Sequence, residues 1–178
     1  GATSIGNWLA ELQVRVGLNT AREARVVRPT GRDLATTPFV YVNGHGNMRF
    51  SDAEAVSLRR YLLGGGFMFV NDDYGLDESF RREMARVLPG APLEPIPATH
   101  FIYHCFYDLD GLPKIHEHDG EPAQGYGIFL NGRLALFYAY SADIGDGLEE
   151  ADVHGDPAEA REHAARMATN IVVYALTH

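Results

Sequence analysis

The chain is 178 residues long, 46% hydrophobic and 22% charged, with 24 acidic against 15 basic residues and a net charge of -9. That length suits one domain, residues 1–178, with a sizeable core, and the composition excludes disorder. The acidity argues against a nucleic-acid partner, since counterion release needs clustered Lys and Arg, and no apolar stretch reaches the ~20 residues that span a bilayer, which reads as a soluble chain.

The chain opens on Gly1 rather than Met, as a cloning remnant would, or a protein whose signal peptide or anchor was removed upstream. Ser4 caps a first predicted helix, with Ile5, Trp8, Leu9, Leu12 and Val16 on one face. A weak strand at Arg25-Val26-Val27 precedes a strong one at Phe39-Val40-Tyr41-Val42. Ser51 and Glu54 then form a capping box, opening a helix that runs to Leu63 and stops at Gly64-Gly65-Gly66. Phe67-Met68-Phe69-Val70 is the next strand. The third helix is expected to be capped by Asp77, with Phe80, Met84 and Val87 sharing a face. Arg59-Arg60 and Arg81-Arg82, the nearest approach to basic clusters, read as the wet faces of these two helices.

The stretch 89–124 is rich in Pro and His, too long for a plain connector, and reads as a functional lid or wall. It holds His100, Tyr103, His104, Cys105 and Tyr107. Cys105 is the one cysteine, so no intramolecular disulfide or cysteine metal cage forms, and it reads as a buried thiol. His100 and His104 lack the Glu of a zincin motif, and His116-Glu117-His118 sits in polar loop sequence; both groups read as structural or surface histidines. Gly127 to Leu130, Asn131-Gly132 and Arg133 to Tyr138 predict a tight hairpin. Asp156, Pro157 and Glu159 start the last helix, with Ala160, Ala164, Met167, Ile171 and Tyr174 as its buried stripe. Apolar strands without polar alternation, interleaved with helices, predict an α/β fold. It is a three-layer, doubly wound, mostly parallel sheet with helices on both faces and a C-terminal β-hairpin.

In open α/β sheets ligands bind beyond the carboxyl ends of the strands. That rule selects Asn43-Gly44-His45-Gly46-Asn47, Asn71-Asp72-Asp73-Tyr74-Gly75 and Tyr140-Ser141-Ala142-Asp143. Each has a structural alternative. Asp72 suits a loop tie or helix cap, and Asn43-Gly44 and Gly46 suit a tight turn with His45 exposed. Asp143-Ile144-Gly145-Asp146-Gly147 suits a turn; it lacks the ligand spacing of a calcium loop.

Several stretches together resemble a bacterial family of domains of unknown function, number 4159. They are Phe39-Val40-Tyr41-Val42-Asn43-Gly44-His45-Gly46, Ser51-Asp52-Ala53-Glu54, Leu58-Arg59-Arg60-Tyr61-Leu62 and Gly64-Gly65-Gly66-Phe67. Asn71-Asp72-Asp73, Val87-Leu88-Pro89-Gly90, His100, Phe106-Tyr107, Gly132-Arg133, Tyr140-Ser141-Ala142-Asp143 and the run from Asn170 to Leu176 continue the likeness. The resemblance implies a class I glutamine amidotransferase-like, flavodoxin-like fold on exported or membrane-attached bacterial proteins, without an established activity. In such enzymes a nucleophilic Cys sits on a Gly-x-Cys-x-Gly elbow. Here Asp73 stands in that place, the oxyanion turn falls at Asn43-Gly44-His45-Gly46, and no His-x-Glu follows the late strand. The resemblance thus argues against the thiolate route to glutamine hydrolysis.

Two functions follow as expectations. One is a ligand-binding or assembly module with a degenerate active site, exported and periplasmic, whose partner is a small molecule or a protein. Asn43, Gly44, Gly46, Asn71, His100, Arg133 and Ser141 would contact the ligand. The other is a hydrolase in which Asp73, Asp72, His45 and Asp143 converge as base, nucleophile or ligands of a divalent metal such as Mg, Mn or Zn. Arg133 would pair with one of these aspartates or bind an anionic substrate, or serve only the hairpin. No nucleotide-cofactor motif is present.

Overall fold

The computed structural model describes residues 39–45, 47–115, 120, 122–142, 144 and 158–178; of residues 43–45, 73 and 74 only the backbone is described. The expected helix beginning at Ser4, the strand at Arg25, the His116-Glu117-His118 loop and the Asp156-Pro157 cap lie outside the described residues.

Strand β1 (Phe39–His45) leads through Phe50 into α1 (Asp52–Leu63). The capping box forms as its sequence requires: Ser51 Oγ accepts from the Glu54 N–H at 3.1 Å, and Glu54 Oε1 accepts from the Ser51 N–H at 2.9 Å. The helix stops at Gly64, whose N–H reaches the Arg60 carbonyl at 2.9 Å. Next come β2 (Phe67–Tyr74) and α2 (Asp77–Val87). The 89–124 stretch contributes a two-residue strand, β3 (Glu94–Pro95), and a 3-10 turn (Phe101–Tyr103). The hairpin β4 (Gln124–Leu130) and β5 (Arg133–Tyr140) precedes α3 (Ala158–Thr177).

The strands form one sheet in the order β1-β2-β5-β4-β3. The β1-β2 and β2-β5 pairings are parallel, and β5-β4 and β4-β3 are antiparallel. The sheet is therefore mixed, and its parallel character is confined to the β1-β2-β5 half of the described strands. The antiparallel half follows from the Asn131-Gly132 turn, where φ is 53° and 79°, both left-handed as a two-residue hairpin turn of type I′ demands.

Alternating residues of each strand enter different cores, which is why the strands lack polar positions. Phe67, Phe69 and Phe137 face a cluster that includes Ala164, Ala168, Ile171 and Tyr174 of α3. Met68, Val70, Leu136 and Tyr138 face Leu58 and Leu62 of α1 and Phe80, Met84 and Val87 of α2. Helices thus cover both faces, each fully buried Leu or Phe contributing about 1.5–3 kcal/mol. Phe80 and Tyr138 rings lie 4.1 Å apart at the α2 interface.

One local expectation is corrected and another is refined. Asp77 is the first residue of α2 rather than its cap; the cap position is Leu76, without a side-chain cap bond. Asp77 instead binds Arg81 at 3.0 Å and accepts from the Tyr138 hydroxyl at 3.1 Å. Arg60, Arg81 and Arg82 are exposed, as wet helix faces require, while Arg59 is half-buried. Arg59 donates to the Val87 and Arg86 carbonyls at 2.7 and 2.8 Å, satisfying the open end of α2. Arg82 donates to the Met48 carbonyl at 2.7 Å, and the Arg81 guanidinium lies 4.9 Å over the Tyr126 ring.

Candidate functional site

At β1 and β2 the polar residues from Asn43 to His45 and Asn71 to Tyr74, expected just after the strands, are the strands' own last residues. Asn43 and Gly44 of β1 stand in register with Asn71 and Asp72 of β2, and His45 with Tyr74. Asp73 therefore faces no residue of β1: it is the extra residue of a β-bulge, a device that re-aims a side chain and terminates pairing. On the other side Asn71 pairs with Ala139, so the end of β2 is central, flanked by β1 and by the loop after β5. The backbone thus brings Asn43, Gly44, His45, Asn71, Asp72, Asp73 and Ser141 to one edge of the sheet. Gly46 and Asp143 lie outside the described residues, as do the side chains of Asn43, His45 and Asp73.

Two of these side chains have defined work. Asn71 is fully buried and its Oδ1 accepts from the Ile144 N–H at 2.8 Å. Asp72 is 4% exposed; Oδ1 accepts from the Leu76 N–H at 3.1 Å and Oδ2 from the Ser141 N–H at 3.4 Å. One carboxylate therefore ties the β2-α2 elbow to the loop after β5. Both backbone amides would otherwise be costly to leave unmatched in a buried place. Ser141 itself sits at φ 56°, a strained backbone angle for a residue with a side chain, held from both sides. Lys114 Nζ donates to its Oγ at 3.2 Å, and the Ile115 N–H donates to the Ala142 carbonyl at 2.8 Å. Lys114 and Ile115 of the 89–124 stretch therefore lie against the loop after β5. Nearby, burial and the Asp72 and Asp77 carboxylates push the Tyr138 hydroxyl well above its ordinary value, so it stays a proton donor.

His100 and Arg133 are not brought to this edge. His100 Nδ1 accepts from the Ile102 N–H at 3.0 Å, capping the 3-10 turn, and its ring packs beside Phe129 and Tyr174. Phe129 pairs with Leu134 at the start of β5, the opposite end of the parallel strands. Burial and then the neighbouring His178 lower the His100 pKa, favouring the neutral ring. Arg133 donates to the Gly66 and Leu62 carbonyls at 2.8 and 2.7 Å, closing the end of α1 and the turn after it. Its partners here are carbonyls, in keeping with the structural reading weighed for it beside an aspartate or an anionic substrate.

Cys105 packs on α3, its Sγ 3.2 Å from the Asn170 carbonyl, away from the β2-α2 elbow. Burial pushes its pKa up to about 11, which leaves a neutral thiol. Asn170, fully buried, completes the anchor by accepting from the Tyr107 N–H and donating to the Tyr107 carbonyl, both at 2.8 Å. His104 meets Asp108 and the Ala98 carbonyl. Among the described residues no group of three His, Cys, Asp or Glu is placed to hold a metal, and no helix is long and apolar enough to cross a membrane.

The site residues that sequence reasoning missed are Lys114 and Tyr138. No spacing marks either in sequence, since each is positioned by tertiary packing.

Comparison with known families matches residues 1–176 to the family described as Domain of unknown function (DUF4159), and the chain belongs to it. No curated protein matches the chain.

Proposed function

We propose that this member of the family is a ligand-binding or assembly module that keeps an amidotransferase-like, flavodoxin-like scaffold without its thiol chemistry. The observation that carries the reading is the use of the strand-end side chains. Asn71 and both oxygens of Asp72 accept backbone N–H groups of the elbow and the loop after β5. A carboxylate so engaged is poorly placed to attack a substrate or to take a proton from one. The sole thiol is shielded on α3 and neutral, which supports the loss of the thiolate route. The parallel β1-β2-β5 half, with helices on both faces, agrees with the doubly wound scaffold. Export to the periplasm is part of the same proposal and rests on the family resemblance; fractionation of cells expressing the native gene tests it.

A second reading has one observation in its favour. The bulge at Asp73 and the neighbouring end of β1 bring the backbones of Asp73 and His45 together, as a carboxylate hydrolase, with or without a divalent metal, would need. One experiment separates the two. Purified protein is offered glutamine and a broad panel of amides, esters and glycosides, with and without Mg, Mn and Zn. The binding reading expects background rates throughout. Enzyme-like turnover that disappears in Asp73→Asn would replace it with the hydrolase.

A further inference from the structure

Across β5 and β4 from the end of β2, the sheet edge carries a cleft of about 470 Å³, within the size range of small-ligand sites. Pro95, Ile96, Pro97, Leu112 and Ala123 give it apolar walls, and Tyr103, Asp110 and Gln124 supply its polar side chains. Tyr103 is 1% exposed, yet its hydroxyl makes no hydrogen bond among the described residues. The ring is fixed by an edge-on contact with Phe137 at 6.1 Å. Its hydroxyl lies so close to the Gly125 backbone, another wall of the cleft, that a Cβ there would sit 2.2 Å away. The hydroxyl is not sealed off but opens onto the cleft, where a ligand can meet it.

The lining chooses the sign of that partner. Among the described residues no Lys, Arg or His lines the cleft. Pro95 and Pro97 have no N–H, and the Ile96 N–H is taken by the Gly125 carbonyl at 2.8 Å. The Gln124 amide donates to the Gly125 and Ile96 carbonyls at 2.7 and 3.4 Å. The side chains left to meet a ligand are the Tyr103 hydroxyl, able to accept, and the Asp110 carboxylate. Asp110 is exposed and makes no hydrogen bond or ion pair among the described residues. An anion would face the repulsion of this charge even with the Tyr103 O–H to donate to it, whereas a donor-rich cation is matched at both groups.

We propose that the cleft binds a small organic cation, an ammonium or guanidinium on a short apolar stem. Its charge rests at Asp110, its stem lies between Pro95, Pro97 and Leu112, and one N–H is accepted by Tyr103. This site is separate from the strand-end site and does not depend on the function proposed for it.

The test is amide chemical-shift titration of the intact chain with agmatine, using butyrate and glucose as anionic and neutral controls. Agmatine should shift the Ala98, Gly111, Ala123 and Gly125 amides saturably, and the controls should not. Asp110→Asn should weaken binding about tenfold, and Tyr103→Phe about threefold. Both substitutions leave the core intact, since one is exposed and the other removes an unpartnered hydroxyl. Absence of shifts at the cleft, an equal response to either control, or unchanged affinity in either variant overturns the proposal.

Discussion

Replacing Glu83 by glutamine keeps the side chain's shape and removes its charge at a buried junction of the fold. Glu83 is 2% exposed on α2. Oε1 accepts from the Phe50 N–H at 2.6 Å and from Arg86 at 2.7 Å, and Oε2 accepts from Arg82 at 3.1 Å. These bonds hold the segment between β1 and α1 against α2. The glutamine amide can offer one oxygen only, so its NH2 must face a donor at either Phe50 or Arg82. The two arginines are 45% and 37% exposed, so water screens their share, and the Phe50 bond dominates. Weakened charge-assisted bonds plus one buried donor–donor conflict come to about 2–4 kcal/mol. In urea denaturation at neutral pH that is a midpoint lower by about 1–2 M. The loss has a pH signature. The Phe50 N–H, then the two arginines, hold the folded Glu83 pKa below its ordinary value against the opposing effect of burial. Its stabilisation is complete above the unfolded-chain pKa and disappears as pH falls through the folded one. Wild type and Glu83→Gln should therefore converge in acid. Equal midpoints at neutral pH, or a gap that persists undiminished in strong acid, would refute the reasoning.

Other substitutions separate close approach from backbone angle. Gly125→Ala puts a Cβ 2.2 Å from the Tyr103 hydroxyl and 3.0 Å from Phe137; it should cost about 1–3 kcal/mol by denaturation, less when Tyr103→Phe is added. Gly132→Ala has open space around it but sits at φ 79°, so strain alone should cost about 1–2 kcal/mol. Arg133→Met removes the bonds to Gly66 and Leu62 and should lower stability by about 1–3 kcal/mol without altering ligand binding at the strand ends. With a pKa of about 11, Cys105 should resist iodoacetamide at neutral pH, its alkylation rising about tenfold per pH unit above that; rapid neutral labelling of the native protein would contradict its burial.

What the sequence made legible was local. Ser51 and Glu54 announce a capping box because both partners lie within one turn. Asn131-Gly132 announces a hairpin because few other pairs tolerate two left-handed angles. The apolar runs at Phe39, Phe67 and Leu134 announce strands covered on both sides, and both cores are found. The strand ends were less legible. Polar Asn71, Asp72 and Asp73 read as a loop, yet strand pairing carries through them to Tyr74. Tertiary hydrogen bonds there override intrinsic preference. β3 has two residues, one of them Pro95, and offers no pattern to read. The resemblance that names the family placed Arg133 and His100 among candidate ligand contacts, but each closes a nearby helix or turn. Glu83, Arg82 and Arg86 look like any exposed helical charges. Their network exists only because the chain before α1 returns to α2, a contact of |i−j| = 33 for Phe50 and Glu83.

The central claim is that Asp72 braces the strand-end site rather than reacting in it. Amide hydrogen exchange of wild type and Asp72→Asn, read at Leu76 and Ser141 and paired with the substrate panel on both proteins, tests this most directly. Asparagine keeps one acceptor, so the account expects protection to fall by about tenfold at one of the two amides, the equivalent of roughly 1.4 kcal/mol of lost local stability, with hydrolysis at background before and after. Unchanged protection at both amides, or a wild-type hydrolytic rate that the substitution abolishes, would contradict it.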